Sequence, residues 1–182
     1  NVQVTKTVDV PGILGSAYYL ERNQLYRPLT VLSLALNYHL DASPIWFRFL
    51  NIVLHFACTA AVLVLCRQLA RDWTVAFFAA LLFAVHPVHV EAVTSIVGRG
   101  ELLSTLMMVT CWILFIAALE TEPHRIRTYL VVGSAAAWFL GLLSKETATV
   151  APVVLLVIWG IRERTWSRRY SALVLSFFAI AF

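Results

Sequence analysis

Charged residues divide the chain into long apolar segments. Aspartate, glutamate, lysine and arginine are absent from five windows of 15 to 18 residues and from everything after Arg169. The windows are 49–66, 73–90, 102–119, 128–144 and 147–161. A helix rises about 1.5 Å per residue, so a long window reaches about 27 Å, close to the roughly 30 Å hydrocarbon core of a bilayer. The pattern predicts an all-α, polytopic transmembrane helix bundle with five spans and a truncated sixth.

The composition also indicates burial in lipid. Apolar residues make up 60% of the chain and charged residues 13%, against about 45–50% and about 25% in soluble domains. Membrane β-strands are excluded, because they would be about ten residues long with alternating polarity. The three cysteines fall inside apolar windows, where buried small hydrophobes are a better interpretation than disulfides or metal ligands.

The loops between the windows predict the orientation. One face carries eight basic residues in three short loops, and the opposite short loops carry one each. The eight are Arg67, Arg71, Arg125, Arg127, Arg162, Arg164, Arg168 and Arg169. By the positive-inside rule this face is cytoplasmic. The net charge of +4 is therefore a topology signal, and no nucleic-acid partner is expected.

Residues 1–48 are expected to form an extracytoplasmic loop with interfacial helices, ahead of the transmembrane region 49–182. Pro28 suits the first turn of a helix over 28–40, which is too short to span and is expected to lie along the interface. Asn37 in this helix is expected to face the outer aqueous space. Since the sequence does not begin with Met and ends within an apolar run, we expect it to be a fragment of a longer protein.

Polar side chains accumulate towards the outer face. Asn51 and His55 are one helical turn apart, and we expect both to form interhelical hydrogen bonds. His86, His89 and Glu91 follow at the end of the second window. Their spacing is not that of a helical zinc motif, so we expect no metal.

Three cations, Arg27, Arg99 and Lys145, lie on the outer face, where the positive-inside rule does not favour them. We expect them to bind a lipid phosphate together, because Arg holds phosphate bidentately and Lys acts as a compact point charge. The glycines flanking Arg99 would let the backbone approach a ligand closely. Nearby groups could transfer protons or order a substrate. These supporting candidates are Glu91, Glu101, His86 and His89.

Four segments resemble the transmembrane-and-TPR protein O-mannosyltransferases, a family of GT-C type glycosyltransferases, in their membrane part. The segments are YRPLTVLSLALNY (26–38), FLNIVLH (49–55), HPVHVEAVTSIVGRGELL (86–103) and LLSKE (142–146). The first looks like the family's first outer loop and the third like its most recognisable one. All four occur in the family's order.

The resemblance implies an inverting transfer of a sugar, typically mannose, from a polyprenyl-phosphate carrier to a serine or threonine on the extracytoplasmic face. The lipid-linked sugar would be a donor substrate, and no covalently bound cofactor is expected. The other partners would be an acceptor protein and membrane lipids, and a TPR domain would follow Phe182. The short loops favour a prokaryotic plasma membrane, with the endoplasmic reticulum membrane as the alternative.

One departure from the family concerns the catalytic acid. The family's acidic pair, which supplies the catalytic carboxylate, is expected upstream of Asn1, and Asp9 does not match its motif. The catalytic residue is therefore unknown from this sequence. A smaller departure is Gly100, where alanine is commoner in the family.

Two other functional classes stay open. A transporter or proton-coupled carrier would use His55, His86, His89 and Glu91 as a relay, although most polar residues lie at the membrane boundary rather than at mid-span depth. A non-catalytic membrane scaffold subunit would keep the motifs without the chemistry.

Overall fold

Helices make up nearly all of the described chain. A computed structural model describes residues 26–122 and 124–162. The helices are α1 (Pro28–Leu40), α2 (Pro44–Ala70), α3 (Trp73–Val85), α4 (Val90–Thr94), α5 (Arg99–Glu120), α6 (His124–Ser144) and α7 (Ala151–Arg162). Short 3-10 turns cover Pro87–His89, Ile96–Gly98 and Glu146–Val150. No strand occurs among these residues, so the predicted all-α class is confirmed.

Within residues 26–122 and 124–162, three helices are long and apolar enough to cross a membrane. They are Pro44–Ala70, Ile96–Glu120 and His124–Ser144, and the pair Trp73–Val85 and Pro87–Thr94, bent by 47°, makes a fourth if it is one span. The polytopic bundle is thereby confirmed, while the count of five spans and the boundary between residues 48 and 49 stay predictions. The sixth span and any helix before residue 26 lie outside the described residues.

The ends of α2 follow from local chemistry. Pro44 occupies the first turn, and the Ser43 hydroxyl accepts a hydrogen bond from the Trp46 amide, so the helix starts ahead of its apolar window. At the other end, Arg71 adopts the left-handed conformation with φ of 56°. Asp72 then caps α3 by accepting hydrogen bonds from the amides of Thr74 and Val75. The turn between these two helices is therefore only two residues long.

Helix α3 ends earlier than the apolar window suggested. The window runs to residue 90, but the helix stops at Val85. Pro87 disfavours the helical conformation at the preceding residue, and His86 accordingly has ψ of 126°. His86 then caps the following turn, since its Nδ1 accepts a hydrogen bond from the Val88 amide at 3.2 Å. Residues 86–98 consequently form a set of short turns at one end of the bundle, between α3 and α5.

The main core lies between α5, α6 and α7. Cys111 and Phe115 of α5 pack with Trp138 of α6 and Trp159 of α7, all almost fully buried. The Trp138 indole N–H donates to the carbonyl of Ala148 at 2.9 Å, which fixes the connection between α6 and α7 against the bundle. This connection carries Lys145 and Glu146.

Helix α1 has the predicted bounds, and it packs against the end of the bundle where α5 begins and α6 ends. Val31, Leu34 and Ala35 are buried with Phe47 of α2, and the Thr30 hydroxyl donates to the carbonyl of Ser144 at 2.8 Å. The expected exposure of Asn37 is wrong, because this residue is buried on the same side of the helix. Placement of α1 along a membrane interface stays a prediction.

Candidate functional site

A cavity of about 470 Å³ opens at the end of the bundle opposite the Arg71–Glu120 ion pair. Its polar lining includes two cations, two carboxylates and one imidazole, drawn from the start of α1, the turns after α3, the first turn of α5 and the α6–α7 connection. These residues are Arg27, Lys145, Glu91, Glu101 and His89. Apolar groups, among them Phe83 and Leu102, line most of the remainder, together with the hydroxyl residues Ser95 and Thr105. The structure therefore brings together most of the site residues expected from the sequence.

Each cavity cation is held by a carboxylate. Arg27 forms a bidentate pair with Glu146, with Nε to Oε2 at 3.0 Å and Nη2 to Oε1 at 2.5 Å. The Lys145 ammonium donates to Oε1 of Glu101. The cationic side chains are mostly covered, with 13% of Arg27 and 19% of Lys145 exposed, whereas 56% of Glu146 and 43% of Glu101 is exposed.

The Arg27 pair also shifts the titration of its partner. The hydrogen bonds from the Arg27 guanidinium lower the pKa of the Glu146 carboxyl below its ordinary value, and the charges of Arg27 and Lys145 act in the same direction. Glu146 thus remains ionised at neutral pH and keeps the guanidinium oriented beside the cavity. Sequence reasoning named Lys145 and Arg27 but missed this carboxylate as the partner of Arg27.

Arg99 lies elsewhere than expected. It is not among the residues that line the cavity, and it is 1% exposed. Its guanidinium donates to Oδ1 of Asn51 at 3.0 Å, to Oδ1 of Asn37 at 2.8 Å, and to the carbonyls of Phe47 at 2.9 Å and Ser33 at 3.3 Å.

These contacts correct the expectation that Arg99 binds a phosphate together with Arg27 and Lys145. Four of the five guanidinium N–H groups already have acceptors inside the protein. The acceptors come in matched pairs, since α1 and α2 each supply a backbone carbonyl and, four residues later, an asparagine amide. In this arrangement Arg99 joins α5 to α1 and α2.

Asn51 extends this network to the cavity wall. Its amide nitrogen donates to the carbonyl of Ser95 at 2.8 Å and to that of Val93 at 3.3 Å. Ser95 itself lines the cavity. The predicted interhelical role of Asn51 is confirmed, and Arg99 is connected to the cavity wall through Asn51 rather than by direct contact.

The histidines take three different roles. His89 lines the cavity and contacts Phe83, with 4.2 Å between ring centroids. His55 contacts the same phenylalanine and is within hydrogen-bond distance of the Ala84 carbonyl at 3.1 Å, which confirms its interhelical role. His86 is outside the lining that the described residues form, because its imidazole is engaged as the cap after α3.

The glycines beside Arg99 permit close packing within the protein. A methyl group on Gly98 would lie 2.2 Å from the carbonyl oxygen of Ala92, and one on Gly100 would lie 3.2 Å from the Thr30 hydroxyl and 3.3 Å from the Ser144 carbonyl. Gly98 lines the cavity as well. These glycines were expected to let the backbone approach a ligand closely. The structure shows that they instead let segments of the protein around the cavity approach one another.

Comparison with known proteins identifies the relatives of this site. The family model described as dolichyl-phosphate-mannose-protein mannosyltransferase matches residues 28–182. The chain belongs to this mannosyltransferase family. The match includes every cavity residue discussed above except Arg27.

Three curated relatives show the extent of the similarity. Protein O-mannosyl-transferase TMTC3 of Mus musculus is 47% identical over 89 residues, which are 48% of this chain and 10% of the mouse protein. TMTC1 of Homo sapiens is 34% identical over 140 residues, covering 72% and 16%. A protein O-mannosyl-transferase of Caenorhabditis elegans is 32% identical over 161 residues, covering 86% and 22%. The expected resemblance to the transmembrane-and-TPR branch of this mannosyltransferase family is therefore confirmed.

The chain spans less than a quarter of the length of these relatives. All three come from animals, so the preference for a prokaryotic plasma membrane is left without support, and the endoplasmic reticulum alternative is taken up below. No solved structure matches the chain.

Proposed function

We propose that this chain is the membrane part of a protein O-mannosyltransferase, and that its cavity binds the phosphate of a polyprenyl-phosphate mannose on the lumenal face of the endoplasmic reticulum membrane. One observation carries the proposal. In a chain that belongs to the mannosyltransferase family, two mostly covered cations line one cavity at the end where the basic loops are absent. Such a site suits the anionic group of a donor that lies in the membrane.

The chemistry assigned to the cavity is a GT-C type displacement. The acceptor hydroxyl oxygen forms a bond to the anomeric carbon as the bond from that carbon to the phosphate oxygen breaks, with inversion. The hydroxyl proton goes to a carboxylate, which we expect upstream of Asn1, and the leaving group is the polyprenyl phosphate. Arg27 and Lys145 stabilise the negative charge that develops on it.

The remaining residues divide between contact and positioning. Glu91 and His89 line the cavity, and we assign them to ordering the acceptor. Arg99 and Asn51 hold the turns after α3 in place and have no contact with the donor in this proposal. Of the seven residues first considered for phosphate binding and proton transfer, the cavity retains five, which are Arg27, Lys145, Glu91, Glu101 and His89.

The test replaces Lys145 in the full-length protein. Membranes containing the Lys145→Met variant are supplied with dolichyl-phosphate carrying radiolabelled mannose and an acceptor protein, and transfer is expected to fall at least about tenfold, since a preorganised donor to the leaving group is lost. Arg71→Met is the matched control, because Arg71 is an exposed cation at the opposite end of the bundle, paired with Glu120.

The outcomes separate the candidate functions. Normal transfer by both Lys145→Met and Arg27→Met proteins would contradict the proposal. Absence of transfer by the unaltered protein, with the donor still bound, would favour the scaffold subunit. Proton flux through proteoliposomes that depends on His89 would favour the proton-coupled carrier.

A further inference from the structure

Two carboxylates that line the cavity differ in their partners. Glu101 is in the first turn of α5 and accepts from the Lys145 ammonium, which follows the end of α6. The side-chain carboxylate of Glu91, in α4, has no hydrogen bond or ion pair within the described ranges 26–122 and 124–162. Their formal charges are equal, but only Glu101 engages a cation among the described residues.

A phosphate entering the cavity meets a Lys145 that is already engaged. The ammonium has three N–H donors, and its side chain is 19% exposed, whereas the Glu101 side chain is 43% exposed. Glu101 is the partner with access to water, so it is the one that can leave the pair and become hydrated. The apparent affinity for an anion is therefore reduced by the fraction of protein in which Glu101 occupies Lys145.

We propose that Glu101 is a positioning residue that competes with the donor phosphate for Lys145, and so sets how tightly the anion is held and how readily the phosphate product leaves. The inference rests on the proposed function, since it takes the anion to be a lipid phosphate. It goes beyond that function by assigning to an acidic residue the control of anion release.

The experiment measures binding apart from sugar transfer. Full-length protein in lipid nanodiscs is titrated with citronellyl phosphate, a short isoprenoid phosphate, and separately with inorganic phosphate. Glu101→Gln is expected to bind citronellyl phosphate about threefold to fivefold more tightly. The gain is small because a partly exposed ion pair, which the phosphate no longer has to displace, is weak. The KM for the donor should fall, and kcat should not rise, because the product is then also held more tightly.

Glu91→Gln is the matched control. It removes the same charge from the same cavity but releases no cation, so its affinity should stay within about twofold of the original, with solvent screening the remaining effect. In a Lys145→Met background, Glu101→Gln should have no effect on binding, since the group for which it competes is absent. A merely structural role for Glu101 would weaken binding in both backgrounds.

The results distinguish this inference from the function on which it rests. If Lys145→Met weakens binding but Glu101→Gln does not tighten it, or if Glu91→Gln tightens it equally, the competition is overturned and the phosphate site remains. If the unaltered protein binds neither probe, or binds inorganic phosphate as well as citronellyl phosphate, the lipid-phosphate assignment is overturned. Glu101→Asp, which shortens the reach to Lys145, should also tighten binding and serves if the glutamine variant does not fold.

Discussion

Replacing Arg99 by methionine tests whether this arginine supports the structure or contacts a ligand. The substitution keeps much of the side-chain volume but removes the guanidinium from a site that is 1% exposed. The buried amide oxygens of Asn37 and Asn51 then lose their donor, as do two backbone carbonyls. We therefore expect the Arg99→Met protein to lose stability rather than only activity.

The expected size follows from the orphaned groups. A buried acceptor left without a donor costs about 1–3 kcal/mol, and some of the four relax or recruit water. The net loss should be about 3–5 kcal/mol, similar to breaking a buried charge network. For a chain of this size that corresponds to a fall of about 10 °C in the apparent unfolding midpoint.

The assay heats the purified, monodisperse protein in detergent and monitors its unfolding by tryptophan fluorescence. Lys145→Met is the control, since its ion pair is partly exposed and its loss should shift the midpoint little. The Arg99→Met and Asn51→Leu changes should be strongly non-additive, because each removes the other's partner. An Arg99→Met protein with a normal midpoint and no phosphate binding would refute this reasoning and restore direct contact between Arg99 and the ligand.

Two further substitutions probe a residue that lines the cavity and the partner of one that does. Gly98→Ala should lower both the unfolding midpoint and transfer activity, because the added methyl group would overlap the Ala92 carbonyl. Gly160→Ala is the control, since its methyl group would meet nothing within 4 Å and should be tolerated. Normal transfer by the Gly98→Ala protein would contradict this packing. The hydrogen bonds from Arg27 lower the pKa of the Glu146 carboxyl. The stability that this ion pair contributes is therefore present above the ordinary glutamate pKa and is lost as the pH falls through the lowered pKa. Thermal midpoints measured over this acidic range should fall less for Glu146→Gln than for the unaltered protein, and parallel curves would count against the pair.

The helical bundle could be predicted because burial in lipid requires long uncharged segments. Helix α1 was predicted with its final bounds, since Pro28 suits a first turn and the polar Asp41 follows the last one. Pro87 was a sequence signal for the early end of α3, but the prediction relied on the apolar window, which runs on to residue 90. Window length alone could not show that a proline divides the segment.

The direction of Arg99 could not be predicted in the same way. Its two amide partners precede it by 48 and 62 positions, and only the packing of α1 against α2 brings them together. An arginine between glycines at a membrane boundary suits either water or a polar interior. The polar Asn37 among the apolar residues of α1 was one sign of a polar interior, but no periodicity links it to Arg99.

The order of residues along the chain has a consequence for biosynthesis. Every acceptor of the Arg99 guanidinium lies before it in the sequence, so this buried charge can be satisfied as soon as α5 leaves the translocon. Lys145 and Glu146, in contrast, arrive only after α6 has been inserted. The nascent protein can thus pair its interior arginine early, whereas the ion pairs of Arg27 and Lys145 beside the cavity are completed only later.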